Sequence, residues 1–164
     1  MTIKVVDNFL DEDMLSYVQE LVFNLKYRVQ SSTPEGPWNF LTSAGPFIEH
    51  DVFKWIARKI DSLEFINVKD YNRVYANCNA SGSDNGGKWH RDDGSITALF
   101  YPMEWDSKTF KGGTEFEDGT VVDYVTNRIV FFDAKIKHRA QEHFCKDHLR
   151  YTVAYKINAG WNNG

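Results

Sequence analysis

Cysteine is scarce in this chain, with only Cys78 and Cys145 among 164 residues. The opening "MTIKVVDNFL" has neither a basic n-region with a long apolar stretch nor a cleavage signal. We therefore expect free thiols in a reducing cytoplasm. Long apolar runs are also missing, and none approaches the length of a membrane span. Excess positive charge is missing too. The net charge of -4 gives no electrostatic reason to expect a nucleic-acid partner, although a local basic patch stays open. Linkers, internal repeats and low-complexity tracts are absent, so residues 1–164 read as one domain.

What is present is a chain that is 42% hydrophobic and 15% aromatic, enough for a sizeable, sheet-rich core. In "LDEDMLSYVQELVFNL", Met14, Leu15, Val18, Leu21, Val22 and Leu25 recur at helical spacing, with Asp11 as N-cap. "DVFKWIARKIDSL" gives a second helix, with Val52, Phe53, Ile56 and Ile60 as its apolar stripe. Between them, residues 31–46 carry three of the four prolines and read as a long loop, either a lid or an irregular connection. From residue 65 the texture changes to strands: "NRVYANCN", "SITALFY", a "FEDGTVV" hairpin turning at Asp118-Gly119, "RIVFFDA" and "RYTVAYKI". The fold class expected is α+β, mainly β. Its core would be a β-sandwich or a jelly-roll barrel, braced by N-terminal helices.

"KWHRDDG" carries the first chemical signal. On a strand, His90 and Asp92 face the same way and can aim two ligands at one point. Alone, a His-x-Asp pair is a weak signal among five histidines. His138, just after the buried run "RIVFFDA", offers a third ligand. Two imidazoles and one carboxylate leave open positions, the ligand set of non-heme Fe(II) oxygenases. Arg150, opening the last strand, supplies a guanidinium fork for a carboxylate, and Thr152 on the same face supplies a hydroxyl. Alternatives remain at this level. His143 competes with His138, and Asp93 with Asp92. His143, Cys145 and His148 with His138 form a possible zinc cluster, though four ligands in one short loop would be unusual.

The ordered set His90-x-Asp92, His138, Arg150 resembles the Fe(II)/2-oxoglutarate-dependent oxygenases, most closely the prolyl 4-hydroxylase-like branch. The resemblance is close from "RVYANCN" to "AYKI" and looser at "VVDNFLDEDM". It implies a double-stranded β-helix (jelly-roll) core in which His90, Asp92 and His138 ligate Fe(II). It implies that Arg150 pairs with the distal carboxylate of 2-oxoglutarate, with Tyr101 bonding the same group and Thr152 and Asn79 as weaker contacts. Asn79 stands where many relatives have tyrosine, and the His138-to-Arg150 interval is slightly long. Gly112 and Gly113 read as a tight turn. The implied cofactors are Fe(II), 2-oxoglutarate and O2, with ascorbate as a supporting reductant.

The implied activity is hydroxylation of an unactivated C–H bond with release of succinate and CO2. A prolyl residue of a peptide or protein is the first expectation for the substrate. A free amino acid, another small molecule or another side chain stays open. Trp38, Phe40, Trp89, Arg91 and Trp105 are candidates for the mouth. "LRYTVAYKINAGW" lacks the further arginine of the nucleic-acid repair relatives. From another functional class, the alternative is a jelly-roll module that binds a ligand or metal without catalysis.

Overall fold

Strand alternation sorts the residues of this protein into two cores. The computed structural model describes residues 1–31, 38–42, 50–82 and 87–162. Among the described residues three helices are present: α1 (Glu12–Asn24), α2 (Asp51–Asp61) and the short α3 (Ser107–Phe110). The strands are β1 (Ile3–Val6), β2 (Tyr27–Ser31), β3 (Trp38–Thr42), β4 (Ile66–Asn79), β5 (Ile96–Tyr101), β6 (Thr114–Phe116), β7 (Val121–Val122), β8 (Arg128–Asp133), β9 (His138–Ala140) and β10 (Arg150–Trp161). They form a seven-stranded sheet, β1-β8-β5-β10-β4-β3-β2, and a three-stranded sheet, β7-β6-β9. Their pairings are antiparallel. This is the jelly-roll architecture expected.

Helix starts follow local chemistry. The Asp11 carboxylate accepts the Met14 amide at 2.9 Å, satisfying one of the unpaired donors at the start of α1. The expected stripe of α2, Val52, Phe53, Ile56 and Ile60, is buried, with Lys54 exposed on the other side. These helices cover one face of the large sheet, where Val18, Val22, Phe53 and Ile56 join Val153, Tyr155, Phe100 and Phe131 in one apolar cluster. Burying each such large side chain contributes roughly 1.5–3 kcal/mol relative to exposure.

The opposite face looks toward the small sheet. Val130 and Phe132 of β8 pack there on Phe116 and Val122 of the small sheet, with Tyr101 and Tyr124. Period-2 alternation and the observed register put Arg150, Thr152, Ala154 and Lys156 of β10 on this inner face. Asn77 and Asn79 of β4 and Thr97 and Tyr101 of β5 share it. The space between the sheets is thus apolar at one side and polar at the other.

Two expectations need correction. Residues 31–46 are not a continuous loop: Trp38–Thr42 is strand β3, which pairs with β2 and β4. "WNFLT" is rich in strand formers, and Pro34, Pro37 and Pro46 bracket it rather than exclude it. The rest of that stretch, and with it the lid, lies outside the described residues. The first half also carries strands, since Ile3–Val6 pairs along the edge of β8. His138 follows β8 after a short turn, as expected, and begins strand β9.

Candidate active site

A single backbone bridge sets the two histidines side by side. His90 donates its amide to the His138 carbonyl at 3.1 Å and accepts the His138 amide at 3.0 Å. The imidazole centres are consequently 4.4 Å apart. His90 lies in an extended segment with this one bridge, not in a longer strand. Asp92 is fixed separately, by its amide bonding the Ala134 carbonyl at 2.8 Å. From the other side, Phe132 lies 4.6 Å from the His138 ring and limits its rotation.

The hydrogen bonds of the rings decide their tautomers. His90 Nδ1 lies 2.8 Å from the Lys88 carbonyl and His138 Nδ1 lies 2.9 Å from the Ile136 carbonyl. A carbonyl only accepts, so in each ring Nδ1 carries the proton and Nε2 keeps its lone pair. Both Nε2 atoms face Asp92, at 3.6 Å from Oδ1 for His90 and 3.2 Å from Oδ2 for His138. Burial pushes the Asp92 pKa up. The ion pair with Lys156 pulls it down, and the carboxyl lies well below the usual range. Asp92 is therefore a carboxylate.

One ligand atom from each of His90, Asp92 and His138 lies within 4.8 Å of the others. Two neutral imidazoles with fixed Nδ1 protons and one buried carboxylate fit a divalent metal bound on one face with open positions. The competing ligands do not join them. Asp93 is paired with Arg73 at 2.6 Å. His143 points its Nε2 at the Asn79 carbonyl, 3.0 Å away, Cys145 is buried and His148 is exposed. Among the described residues, His90, Asp92 and His138 are the one such cluster, and no zinc cluster forms at His143, Cys145 and His148. Cys78 and Cys145 are free thiols.

Further along the inner face lies a buried cation. Arg150 is 3% exposed. Its Nε donates to the Gly112 carbonyl and its Nη2 to the Gly113 carbonyl at 3.0 Å. The rings of Tyr101 and Tyr124 flank its guanidinium at 5.9 and 5.7 Å. Burial pushes the Arg150 pKa down, and only these two tyrosines oppose it. No carboxylate pairs with Arg150 among the described residues, so the charge is balanced by dipoles and ring faces alone. A buried guanidinium in this state favours an incoming anion.

The other predicted contacts gather around it. Tyr101 is buried and shares a 2.7 Å hydrogen bond with the Thr114 hydroxyl. Asn79 pairs with Arg150 in the ladder, and Thr152 with Asn77. Asn77 Oδ1 is buried without a hydrogen-bond partner among the described residues, a polar atom of the kind a bound ligand satisfies. Of the mouth residues, Trp89 is exposed under the Arg139 guanidinium, and Arg91 bonds the Lys135 carbonyl. Trp105 packs on Tyr124 and bonds the Lys111 carbonyl at 2.6 Å, so it fastens its loop to the barrel. The side chains of Trp38 and Phe40 lie outside the description.

Sequence reasoning passed over four groups. Thr97 donates to Asp92 Oδ2 at 2.6 Å, and Lys156 makes an ion pair with the same oxygen. Both lie in period with expected site residues, Thr97 with Tyr101 and Lys156 with Arg150, and that periodicity was the available signal. Gly112 and Gly113 do more than turn the chain, because their carbonyls hold Arg150. A Cβ at Gly113 would stand 2.2 Å from the Val122 carbonyl oxygen.

With this geometry in hand, comparison with solved structures is decisive for the fold. A prolyl hydroxylase from Trichoplax adhaerens, in complex with a hypoxia-inducible-factor peptide fragment, superposes with a TM-score of 0.74 at 16% identity, over 95% of this chain and 83% of that one. The fold is that of the Fe(II)/2-oxoglutarate oxygenases. A prolyl-4-hydroxylase from Pseudomonas putida superposes with a TM-score of 0.70 at 13% identity, over 95% of this chain and 92% of that one. HygX from Streptomyces hygroscopicus, with nickel, 2-oxoglutarate and hygromycin B bound, gives 0.65 at 9% identity, over 93% and 81%. No protein-family model matches the sequence, and no curated protein does. Among the described residues no helix is long and apolar enough to cross a membrane.

Proposed function

We propose that residues 1–164 form a single Fe(II)/2-oxoglutarate-dependent dioxygenase domain. It hydroxylates an unactivated C–H bond, with a prolyl residue of a peptide or protein as the substrate. One observation carries the reading: a two-histidine, one-carboxylate cluster shares an inner sheet face with a buried arginine that has no anionic partner among the described residues. The prolyl assignment leans on the two prolyl hydroxylases among the similar structures, one of them crystallised with a peptide. The free thiols support a reducing, cytoplasmic location.

Iron, when bound, supplies oxygen activation and C–H cleavage as 2-oxoglutarate is converted to succinate and CO2. The chain supplies position and environment. His90 and His138 present Nε2 lone pairs because the Lys88 and Ile136 carbonyls hold their other protons. Asp92 adds the anionic ligand. Arg150 receives the distal carboxylate as a fork, with the Tyr101 hydroxyl, Thr152 and Asn79 within the same wall. Phe116, Phe132 and Tyr124 keep the inter-sheet space dry, which strengthens each charge interaction inside it. No side chain serves as a general base.

The test supplies Fe(II), ascorbate and labelled 2-oxoglutarate with a panel of proline-containing peptides. Succinate formation matched by addition of one oxygen atom to a proline supports the reading in full. Coupled turnover with small molecules only would keep the reaction and remove the prolyl assignment.

A further inference from the structure

Lys156 is the only buried lysine among the described residues, at 2% exposure. Ammonium groups are strongly hydrated, and burying one needs a specific partner. Its partner is the candidate metal ligand Asp92, whose Oδ2 also accepts the Thr97 hydroxyl at 2.6 Å. The Tyr75 ring lies 5.5 Å from Nζ. The neighbouring guanidinium of Arg73 is committed to Asp93, and Lys135 reaches only the Asp92 carbonyl, at 3.2 Å. In the metal-free protein the Asp92 charge is therefore matched by Lys156.

We infer that Lys156 is the internal counter-cation of this centre: it holds Asp92 when metal is absent and competes with the metal for the same carboxylate. The inference rests on the metal-centre reading above. Without Lys156, the metal-free protein keeps a buried carboxylate that has lost its ammonium partner, which is costly. With a dication on the three ligands, the carboxylate is already compensated, and the nearby ammonium is repelled. Loss of the lysine therefore harms the metal-free form more than the metal-bound form. By linkage, metal binding tightens. A lysine that only oriented Asp92 would give the opposite sign, because lost orientation weakens a metal site.

The experiment is Co(II) titration by calorimetry, with thermal melting of the metal-free protein, on wild type, Lys156→Met and Lys156→Arg. For Lys156→Met we expect a Co(II) Kd lower by at least about tenfold and a lower metal-free Tm. Co(II) should also raise its Tm by more than it raises that of wild type. Lys156→Arg, which keeps the charge, should return both quantities toward wild type. Where Lys156→Met folds poorly, the double variant Lys156→Met/Asp92→Asn removes the unpaired charge and should recover the metal-free Tm. Unchanged or weaker Co(II) binding in folded Lys156→Met, or no recovery in the double variant, overturns the counter-cation role. Absence of Co(II) binding by wild type, or binding that survives His138→Ala, overturns the metal-centre reading and this inference with it.

Discussion

The Arg150 guanidinium lies 5.9 Å from the centre of the Tyr101 ring, with both residues fully enclosed on the inner face of the large sheet. They come from neighbouring strands, β10 and β5, whose register also brings Lys156 opposite Thr97. One face of one sheet thus carries both a fork for an anion and the groups that fix Asp92. The two halves of the site are built by the same alternation.

Arg150→Met should weaken 2-oxoglutarate binding to the Ni(II)-loaded protein by about a hundredfold, since a bidentate charge-assisted contact is lost. Ni(II) affinity should change little. The freed carbonyls of Gly112 and Gly113 should cost about 1–3 kcal/mol of stability. Calorimetric titration and chemical denaturation measure the two effects separately.

His138→Ala should abolish tight Co(II) binding, while His143→Ala should retain it. His143 is buried beside the Asn79 carbonyl, away from the triad, so its loss should appear as lower stability. Equal loss of metal in both variants would place the third ligand elsewhere.

Gly113→Ala forces a Cβ to within 2.2 Å of the Val122 carbonyl oxygen. The backbone must shift, and the Gly113 carbonyl that holds Arg150 shifts with it. The expected outcome is a stability loss of about 1–3 kcal/mol together with weaker 2-oxoglutarate binding. Thermal melting and titration of the same sample check both.

Asp7 and Arg128 form a two-pronged ion pair, at 2.6 and 3.0 Å, that ties the end of β1 to β8. The Arg128 hydrogen bond is the main cause holding the Asp7 carboxyl below its ordinary value. A depressed folded-state pKa gives stability that is present above the unfolded value and lost as pH falls through the folded one. Asp7 is half exposed, so Asp7→Asn should cost less than about 1 kcal/mol at neutral pH. The difference from wild type should vanish in acid, as followed by melting curves against pH.

The sheet-rich half was legible because "RIVFFDA", "SITALFY" and "RYTVAYKI" are strongly patterned, and five of their alternating residues, Phe100, Ile129, Phe131, Val153 and Tyr155, end in one core. Strand β3 was hidden by the prolines around it, and β9, three residues long, is too short to carry a period. His90, Asp92, His138 and Arg150 could be picked out by residue type and order, and the fold brings the first three together. The cradle of Arg150 could not be read, because its acceptors are backbone carbonyls, which every residue has. Lys156 was readable and was passed over. It lies in phase with Arg150 and Thr152, but a lysine on a strand is ordinarily a solvated charge.

We propose that this chain holds Fe(II) and 2-oxoglutarate together at His90, Asp92, His138 and Arg150. The most direct measurement is the visible absorption spectrum of purified protein mixed with Fe(II) and 2-oxoglutarate without oxygen, which needs no knowledge of the substrate. The expected result is a charge-transfer band from keto-acid chelation that is absent in His138→Ala and needs more 2-oxoglutarate in Arg150→Met. No band from folded, iron-loaded wild-type protein would contradict it, and the inner face would then be a ligand-binding surface without this redox chemistry.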